Sequence, residues 1–268
     1  GHRMTTTPPV WIGTSWKMNK TLSEASEFCQ ILEKFVPSLS DNIQPFIIPS
    51  FTCVRDVTRM ISQSNTRCLT GVQNMHYEDA GAFTGEISPL MVKDTGAYLV
   101  EMGHSERREF FGETDLTVNK KVAAALKHGL RPLVCIGDSA QDMAWGTSAE
   151  TVIKQMKAAL SGLSAKQAEQ VIVAYEPIWA IGEQGKPATP EQAEYIHVRL
   201  RQALVELYGS GSANNISLLY GGSVNPQNAV PLISRPDIDG LFIGRSAWQA
   251  EGFCQILKLV EQYQATQK

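Results

Sequence analysis

The sequence has no pair of cysteines at a spacing that binds metal or forms a redox centre. Its five cysteines are widely separated, at Cys29, Cys53, Cys68, Cys135 and Cys254. Without a Cys-x-x-Cys pair, neither a zinc site nor a disulfide framework is indicated, and we expect no metal. Because free thiols are typical of a reducing compartment, the sequence predicts a cytoplasmic protein.

Long apolar runs and an excess of positive charge are also missing. We find no apolar stretch that is long enough to span a bilayer and expect no signal peptide. The 24 Lys and Arg residues are outnumbered by 27 Asp and Glu residues, so the net charge is −3. This balance gives no broad basic surface for nucleic acid or an anionic membrane. An anionic substrate would therefore need a locally positive pocket.

What the sequence does contain is a regular alternation of short apolar runs with longer amphipathic stretches. Apolar residues in succession are typical of parallel strands that are buried on both faces. Eight such strands are predicted, at residues 10–14, 45–49, 69–73, 97–101, 132–136, 171–175, 216–220 and 240–243. Helical spacing of apolar residues predicts helices at 22–36, 118–126 and 252–263, and a further helix opened by Thr189-Pro190 that runs to Leu207.

Eight strand–helix alternations without a linker predict an α/β protein with one closed (β/α)8 barrel. The alternative is an open doubly wound sheet, but no G-x-G-x-x-G follows the first strand. The opening Gly-His-Arg-Met is interpreted as a cloning remnant that carries the native start at Met4. Residues 5–268 are expected to form a single barrel domain.

Three side chains that follow different strands are candidates for proton-transfer chemistry. Barrels of this type carry their active sites at the carboxyl ends of the strands. Glu176, His104 and Lys17 lie at three such ends and together supply a base, a hydrogen-bond donor and a fixed cation. We expect the neighbouring Tyr175 and Trp179 to desolvate Glu176 and raise its pKa. Such a set removes a proton next to a carbonyl and stabilises the charge on oxygen.

Glycines after the last two strands predict a phosphate site. Gly221-Gly222-Ser223 follows the seventh strand and Gly244 follows the eighth, which is the usual phosphate position in this fold. A loop at residues 177–187, bounded by prolines, contains Gly182 and comes directly after the candidate base. We expect this loop to be a lid that excludes water and brings the Gly182 amide onto the phosphate.

These motifs resemble those of triosephosphate isomerase, and the resemblance covers essentially the whole chain. The matching segments are Trp16-Lys17-Met18-Asn19 and residues 103–108, 174–182 and 220–224. In triosephosphate isomerase itself the glutamate is the base and a neutral histidine the electrophile. The resemblance therefore implies an isomerase of the aldose–ketose type that needs no cofactor. It also implies a homodimer, in which the loop from Met75 to Ile87 inserts into the partner beside Lys17.

The resemblance also assigns roles to individual residues. Glu176 is the base, His104 the electrophile and Lys17 the cation, with Glu106 as a supporting carboxylate beside the last two. Cys135 matches a buried structural cysteine of the family. The phosphate would be bound by the backbone amides of Gly182, Ser223, Gly244 and Arg245.

Three departures from the family pattern concern the substrate. Ser15 stands where the family has an asparagine that contacts substrate, the lid is one residue longer, and Arg245 replaces the second glycine of a pair. The catalytic set is untouched, so the pattern predicts the same chemistry on a larger substrate. It is similar to the erythrulose phosphate isomerases of erythritol catabolism. The alternatives are a triosephosphate isomerase of glycolysis and gluconeogenesis and, more remotely, a non-catalytic phosphosugar-binding barrel.

Overall fold

Eight parallel strands form a closed barrel in which the last strand pairs with the first. The computed structural model describes residues 7–181 and 185–267. The closed order confirms the predicted barrel and excludes the open sheet. The strands are β1 Val10–Ser15, β2 Ile43–Ile48, β3 Leu69–Val72, β4 Leu99–Met102, β5 Arg131–Ile136, β6 Ile172–Tyr175, β7 Leu218–Tyr220 and β8 Gly240–Ile243.

Helices surround the barrel. In the described ranges these are α1 Leu22–Phe35, α2 Phe51–Gln63, α3 Pro89–Thr95, α4 Ser105–Phe110, α5 Asp115–Lys127, α6 Ala140–Trp145, α7 Ser148–Leu160, α8 Ala165–Ala168, α9 Pro190–Tyr208, α10 Ser210–Asn215, α11 Ala229–Ile233 and α12 Ala250–Thr266. Short 3₁₀ turns lie at Val36–Ser38, Ile178–Ala180 and Arg245–Ala247. None of the helices in this part of the chain is both long and apolar enough to cross a membrane.

The helix boundaries follow local capping chemistry. The predicted start of α9 is confirmed, since the Thr189 side chain accepts a hydrogen bond from the Gln192 amide and Pro190 occupies the first turn. Helix α5 begins at Asp115, three residues before the predicted start, with Thr114 as its cap. The apolar residue of its first turn, Leu116, is exposed and off the buried face of the helix, so the hydrophobic pattern alone missed the turn.

The core has two layers, one inside the barrel and one between the strands and the helices. Strand side chains alternate between these layers because successive residues of a strand point to opposite faces. In β1, Trp11 belongs to the inner cluster and Ile12 to the outer one. In β4, Leu99 is inside while Val100 and Met102 pack outside. This alternation decides which residues near the strand ends face the barrel mouth.

The loop after β3 differs in one respect from its expected role at an interface. Met75 is only 1% exposed and packs in the core of its own barrel, so it is not an interface side chain. Its position directly beyond a strand makes it part of the layer under the helices. Phe83 is 44% exposed and its ring lies 4.4 Å from that of His76. The His76 amide donates to the Ile87 carbonyl at 2.8 Å and closes the base of the loop.

Candidate active site

A cavity of about 330 Å³ opens at the carboxyl ends of the strands. It is lined by residues at the ends of β1 and β4 and directly after them, by the segment after β6, and by the glycine segments after β7 and β8. The structure brings together at this cavity the predicted residues Ser15, Lys17, His104, Glu176, Ser223, Gly244 and Arg245. Gly182 lies outside the described residues.

Lys17 is held in an unusual backbone conformation. Its φ of 54° lies in the left-handed region, which costs a residue with a side chain about 1 kcal/mol or more. The side-chain amide of Gln73 donates to the backbone carbonyl of Lys17 at 2.8 Å. The side-chain amide of Asn19 donates to the backbone carbonyl of the fully buried Trp16 at 2.7 Å. These contacts fix the direction of the lysine side chain, whose Nζ donates to Oε1 of Glu106 at 2.6 Å.

His104 lies at the start of α4 and joins the other polar groups of the site. Its Nδ1 accepts a hydrogen bond from the Glu106 amide at 3.3 Å, and its Nε2 lies 3.0 Å from Oε2 of Glu176. Oε2 of Glu106 lies 3.6 Å from the same Nδ1. Glu106 therefore contacts both Lys17 and His104.

Opposing influences act on the pKa of His104. Burial lowers the pKa, but the carboxylate of Glu176 raises it by more, to about 9 in the substrate-free site. The Glu106 amide N–H, however, can bond only to an unprotonated Nδ1. If Nδ1 carried a proton, its N–H would point at the Glu106 backbone N–H and the two groups would repel each other. The neutral ring with its proton on Nε2, directed at Glu176, is therefore the form that fits these contacts.

Glu176 is buried, but its pKa is not raised as the sequence led us to expect. Burial raises the pKa of this carboxyl, and the proximity of His104 and Lys17 lowers it by more, so that the net shift is downward. Neither aromatic neighbour lines the cavity beside the carboxylate. Tyr175 points outward, and both its hydroxyl and the Trp179 indole donate to Asp138, at 2.7 and 3.0 Å.

Close backbone approach at Gly221 makes room for the Glu176 side chain. A Cβ atom at Gly221 would lie 2.5 Å from Cγ of Glu176. No real Cβ contact is that short, so a side chain at Gly221 would displace the carboxylate. The first glycine after β7 thus positions the Glu176 side chain, in addition to lying near the predicted phosphate site.

The predicted phosphate site lies at the β7 and β8 side of the cavity. Ser223 is half-buried, and its backbone carbonyl accepts a hydrogen bond from the side-chain amide of Asn228 at 2.7 Å. Gly244 is followed by the 3₁₀ turn that begins with Arg245, whose guanidinium lies 5.3 Å from the ring of Trp248. An anion in this part of the cavity would lie next to Ser223, Gly244 and Arg245, which line it.

The first residues of the predicted lid, at 178 and 179, are held in place by Asp138. The Asp138 carboxylate accepts the hydrogen bonds from Tyr175 and Trp179. Its backbone carbonyl accepts a further one from the Ile178 backbone amide at 2.9 Å. On the far side, the Lys186 amide donates to the Trp179 carbonyl at 3.1 Å. Sequence reasoning missed Asp138 because its partners are 37 and 41 residues away.

Sequence reasoning also missed Glu101, which projects into the same cavity. This carboxyl is 3% exposed and belongs to β4, where it was assigned to an apolar strand. Burial raises its pKa to about 7. The signal was present in the sequence as one charged residue in an otherwise apolar strand.

Glu101, His104 and Glu176 place ligand atoms within 4.8 Å of one another. One imidazole and two carboxylates are a donor set that a divalent cation can accept. The positive charge that already faces these carboxylates belongs to Lys17, which interacts with both. A cation bound there would have to share them with the lysine.

Comparison with known proteins agrees with this geometry. The triosephosphate isomerase family model matches residues 10–260. The chain is 51% identical over 249 residues to L-erythrulose-1-phosphate isomerase of Mesorhizobium japonicum, covering 92% of this chain and 95% of that protein. It is 51% identical over 252 residues to the protein of the same name from Rhizobium etli, covering 94% and 92% of the two chains. The corresponding protein of Mycolicibacterium smegmatis is 49% identical over 251 residues, covering 93% and 92%. The chain belongs to the triosephosphate isomerase family.

Proposed function

We propose that this protein isomerises L-erythrulose 1-phosphate. The observation that carries the proposal is the meeting of Glu176, His104 and Lys17 in one cavity, in a chain half identical to proteins of that name. In this substrate the phosphate is on C1 and the carbonyl on C2. Isomerisation therefore moves the carbonyl to C3 and yields erythrulose 4-phosphate. With the triose, the same proton transfer interconverts an aldose and a ketose.

Glu176 is the base in this proposal. Its carboxylate removes the proton from C3, the C–H electron pair forms the C2–C3 double bond, and the carbonyl electrons move onto O2. The O3 hydroxyl proton passes to O2 by way of the His104 ring, the electron pair left on O3 forms the new carbonyl at C3, and the same carboxyl returns its proton to C2. A carboxylate whose pKa is held down by His104 and Lys17 is ionised and can accept a proton, and its burial acts in the opposite direction, in favour of the protonated form.

His104 and Lys17 stabilise the enediolate. The Nε2 proton of His104 is directed into the site, and the Lys17 ammonium is held there by Glu106. A substrate carbonyl between His104 and Glu176 would part the two side chains. The influence of Glu176 on the imidazole would then weaken, which leaves a neutral donor for the developing oxyanion.

The phosphate is bound on the opposite side of the cavity in this proposal. The amides of Ser223, Gly244 and Arg245 provide the donors, and Gly182 joins them when the segment at residues 177–187 closes. Anchoring of Trp179 by Asp138 supports a hinge at the start of that segment. A non-catalytic binding barrel would have no use for a buried base in contact with an imidazole.

We also propose that residues 5–268 act as one cytoplasmic domain that forms homodimers. Support for the dimer comes from Met18, which is 94% exposed next to Lys17, and from the exposed Phe83 of the loop after β3. Both side chains would be covered in the dimer that the family resemblance implies. The five unpaired thiols support a reducing compartment.

The test of the substrate is a side-by-side measurement of kcat/KM for L-erythrulose 1-phosphate and glyceraldehyde 3-phosphate. We expect the tetrulose to be preferred by at least tenfold, within the range that one added carbon can give. A ratio at or below unity would favour a triosephosphate isomerase. No turnover of either compound would favour the binding barrel.

A further inference from the structure

Glu101 faces the barrel interior near the carboxyl end of β4. In β4 the inward residues are Leu99 and then Glu101, since Val100 and Met102 pack outside. In β1 the same alternation from Trp11 brings Ser15 to the inner face. Both side chains line the active-site cavity. The two side chains are close enough for the Ser15 hydroxyl to interact with the Glu101 carboxyl. Burial raises the pKa of Glu101, and the interaction with Ser15 lowers it by a smaller amount.

Glu101 is a buried polar group whose hydrogen bonds are incomplete. Apart from the interaction with Ser15, the described residues offer its Oε1 no hydrogen-bond partner and its Oε2 the Cys135 thiol at 3.9 Å. A buried polar atom without a partner is costly, so such an atom beside a cavity points to a missing ligand group. The base, imidazole and ammonium assigned above leave Glu101 without a role in proton transfer.

The chemistry of the position favours a neutral hydrogen-bonding group, such as a hydroxyl. An anionic group would be repelled by Glu101 and by Glu176. An added cation would compete with Lys17 for the same carboxylates. A hydroxyl can donate to an ionised carboxylate or accept from a protonated one, and it therefore suits a carboxyl whose pKa is about 7.

The barrel topology fixes which hydroxyl reaches Glu101. The phosphate site follows β7 and β8, and β4 lies diametrically opposite β8 in the closed order of eight strands. A substrate anchored by its phosphate therefore extends across the mouth toward β4. The reacting carbons lie between, beside His104 and Glu176. The atom farthest from the phosphate of a 1-phosphotetrulose is its C4 hydroxyl.

We propose that Glu101 and Ser15 form a subsite for the C4 hydroxymethyl group, in which the Glu101 carboxyl hydrogen-bonds to the C4 hydroxyl. The small Ser15 side chain leaves space for the added carbon, and Glu101 supplies the polar partner. This inference rests on the proposed four-carbon substrate. It makes Glu101 the residue that distinguishes a hydroxymethyl group from hydrogen or methyl at that end of the substrate.

The test uses L-erythrulose 1-phosphate and its 4-deoxy analogue, which differ only in the C4 hydroxyl. We expect wild-type kcat/KM to be about 10- to 100-fold higher for the hydroxylated substrate. Glu101→Met keeps the shape but removes the hydrogen bond, and it should bring the ratio to within about threefold of unity. Glu101→Gln retains an acceptor and should keep most of the preference. Glu27→Met, on the exposed face of α1, is the matched control and should leave the ratio unchanged.

The outcomes separate this inference from the proposed function. If the wild type turns over the tetrulose phosphate but shows no preference over the deoxy analogue, the subsite is wrong and the function stands. The same conclusion follows if Glu101→Met retains the wild-type preference. If the wild type turns over only the triose, both fail. The wild-type comparison needs no variant, so the inference is testable even if Glu101→Met does not fold.

Discussion

The Nε2 atom of His104 lies 3.0 Å from Oε2 of Glu176, and both side chains are buried. They come from opposite halves of the sequence, 72 residues apart, and meet only because β4 and β6 end at the same mouth. The contact places a proton donor against the proposed base in the substrate-free site. A substrate carbonyl is the natural group to enter between them.

Replacement of Glu176 by Gln should abolish most turnover while the fold persists. The amide has nearly the same shape but cannot accept the proton, and general bases contribute about 10²- to 10⁴-fold. The measurement is kcat with L-erythrulose 1-phosphate, with circular dichroism as the check on folding. Glu27→Gln on the surface serves as the control. A variant that kept more than half of the wild-type kcat would show that another residue is the base.

Substitution of Gly221 by Ala should damage catalysis through Glu176. The added Cβ would meet Cγ of Glu176 at 2.5 Å, so the carboxylate must move away from His104. We expect kcat to fall by roughly 10- to 100-fold, the size typical of a 1 Å misplacement. Gly211→Ala is the matched control, because a Cβ at Gly211 has nothing within 4 Å. Equal effects of the two substitutions would argue against a positioning role for Gly221.

Restoring asparagine at Ser15 should shift substrate preference toward three carbons. The larger side chain would occupy the space beside Lys17 that the fourth carbon needs. A misfit of this kind is worth about 1–3 kcal/mol of discrimination. The measurement is the ratio of kcat/KM for the tetrulose and the triose phosphates. If the ratio stays constant or moves toward the tetrulose, Ser15 does not set substrate size, and the longer lid becomes the alternative explanation.

Glu101 should make stability depend on pH in a predictable direction. Its pKa is about 7 in the folded protein against 4.5 as the ordinary value, so the folded state holds an extra proton between these limits. Ionisation therefore destabilises the fold as pH rises from 4.5 to about 7, and the cost is constant above that. Below 4.5 the carboxyl is protonated in both states and costs nothing.

Glu101→Gln removes this titration. We compare the free energy of unfolding of the variant with that of the wild type at two pH values. The difference, variant minus wild type, should be about 1–3 kcal/mol larger at pH 8 than at pH 4.5. Urea denaturation at equal protein concentration measures it. The surface variant Glu27→Gln should show no comparable change. A difference that is independent of pH would mean that Glu101 ionises normally.

Light scattering should report a dimer at micromolar concentration. Phe83→Asp places a charge in the proposed interface and should raise the monomer fraction and lower activity. Leu207→Asp is a matched control, since Leu207 is 43% exposed on α9 and Phe83 is 44% exposed. A fully active monomeric wild type would refute the dimer.

The sequence by itself determined the barrel and most of the candidate site. Alternation of apolar runs with amphipathic stretches is a local signal, and it located all eight strands to within a few residues. Lys17, His104 and Glu176 were found because each directly follows a strand, and strand ends meet at one mouth in a parallel barrel. The phosphate glycines followed from the same rule.

Only the tertiary structure decided the electrostatics and the inner face of the barrel. The pKa of Glu176 is lowered by groups distant in sequence, and Tyr175 proved to point outward, so the predicted upward shift was wrong. Glu101 stood in a run assigned as apolar, and its importance depends on which face of β4 turns inward. Met75 likewise packs into its own core. Charge interactions and burial depend on neighbours in space, which adjacency in sequence does not specify.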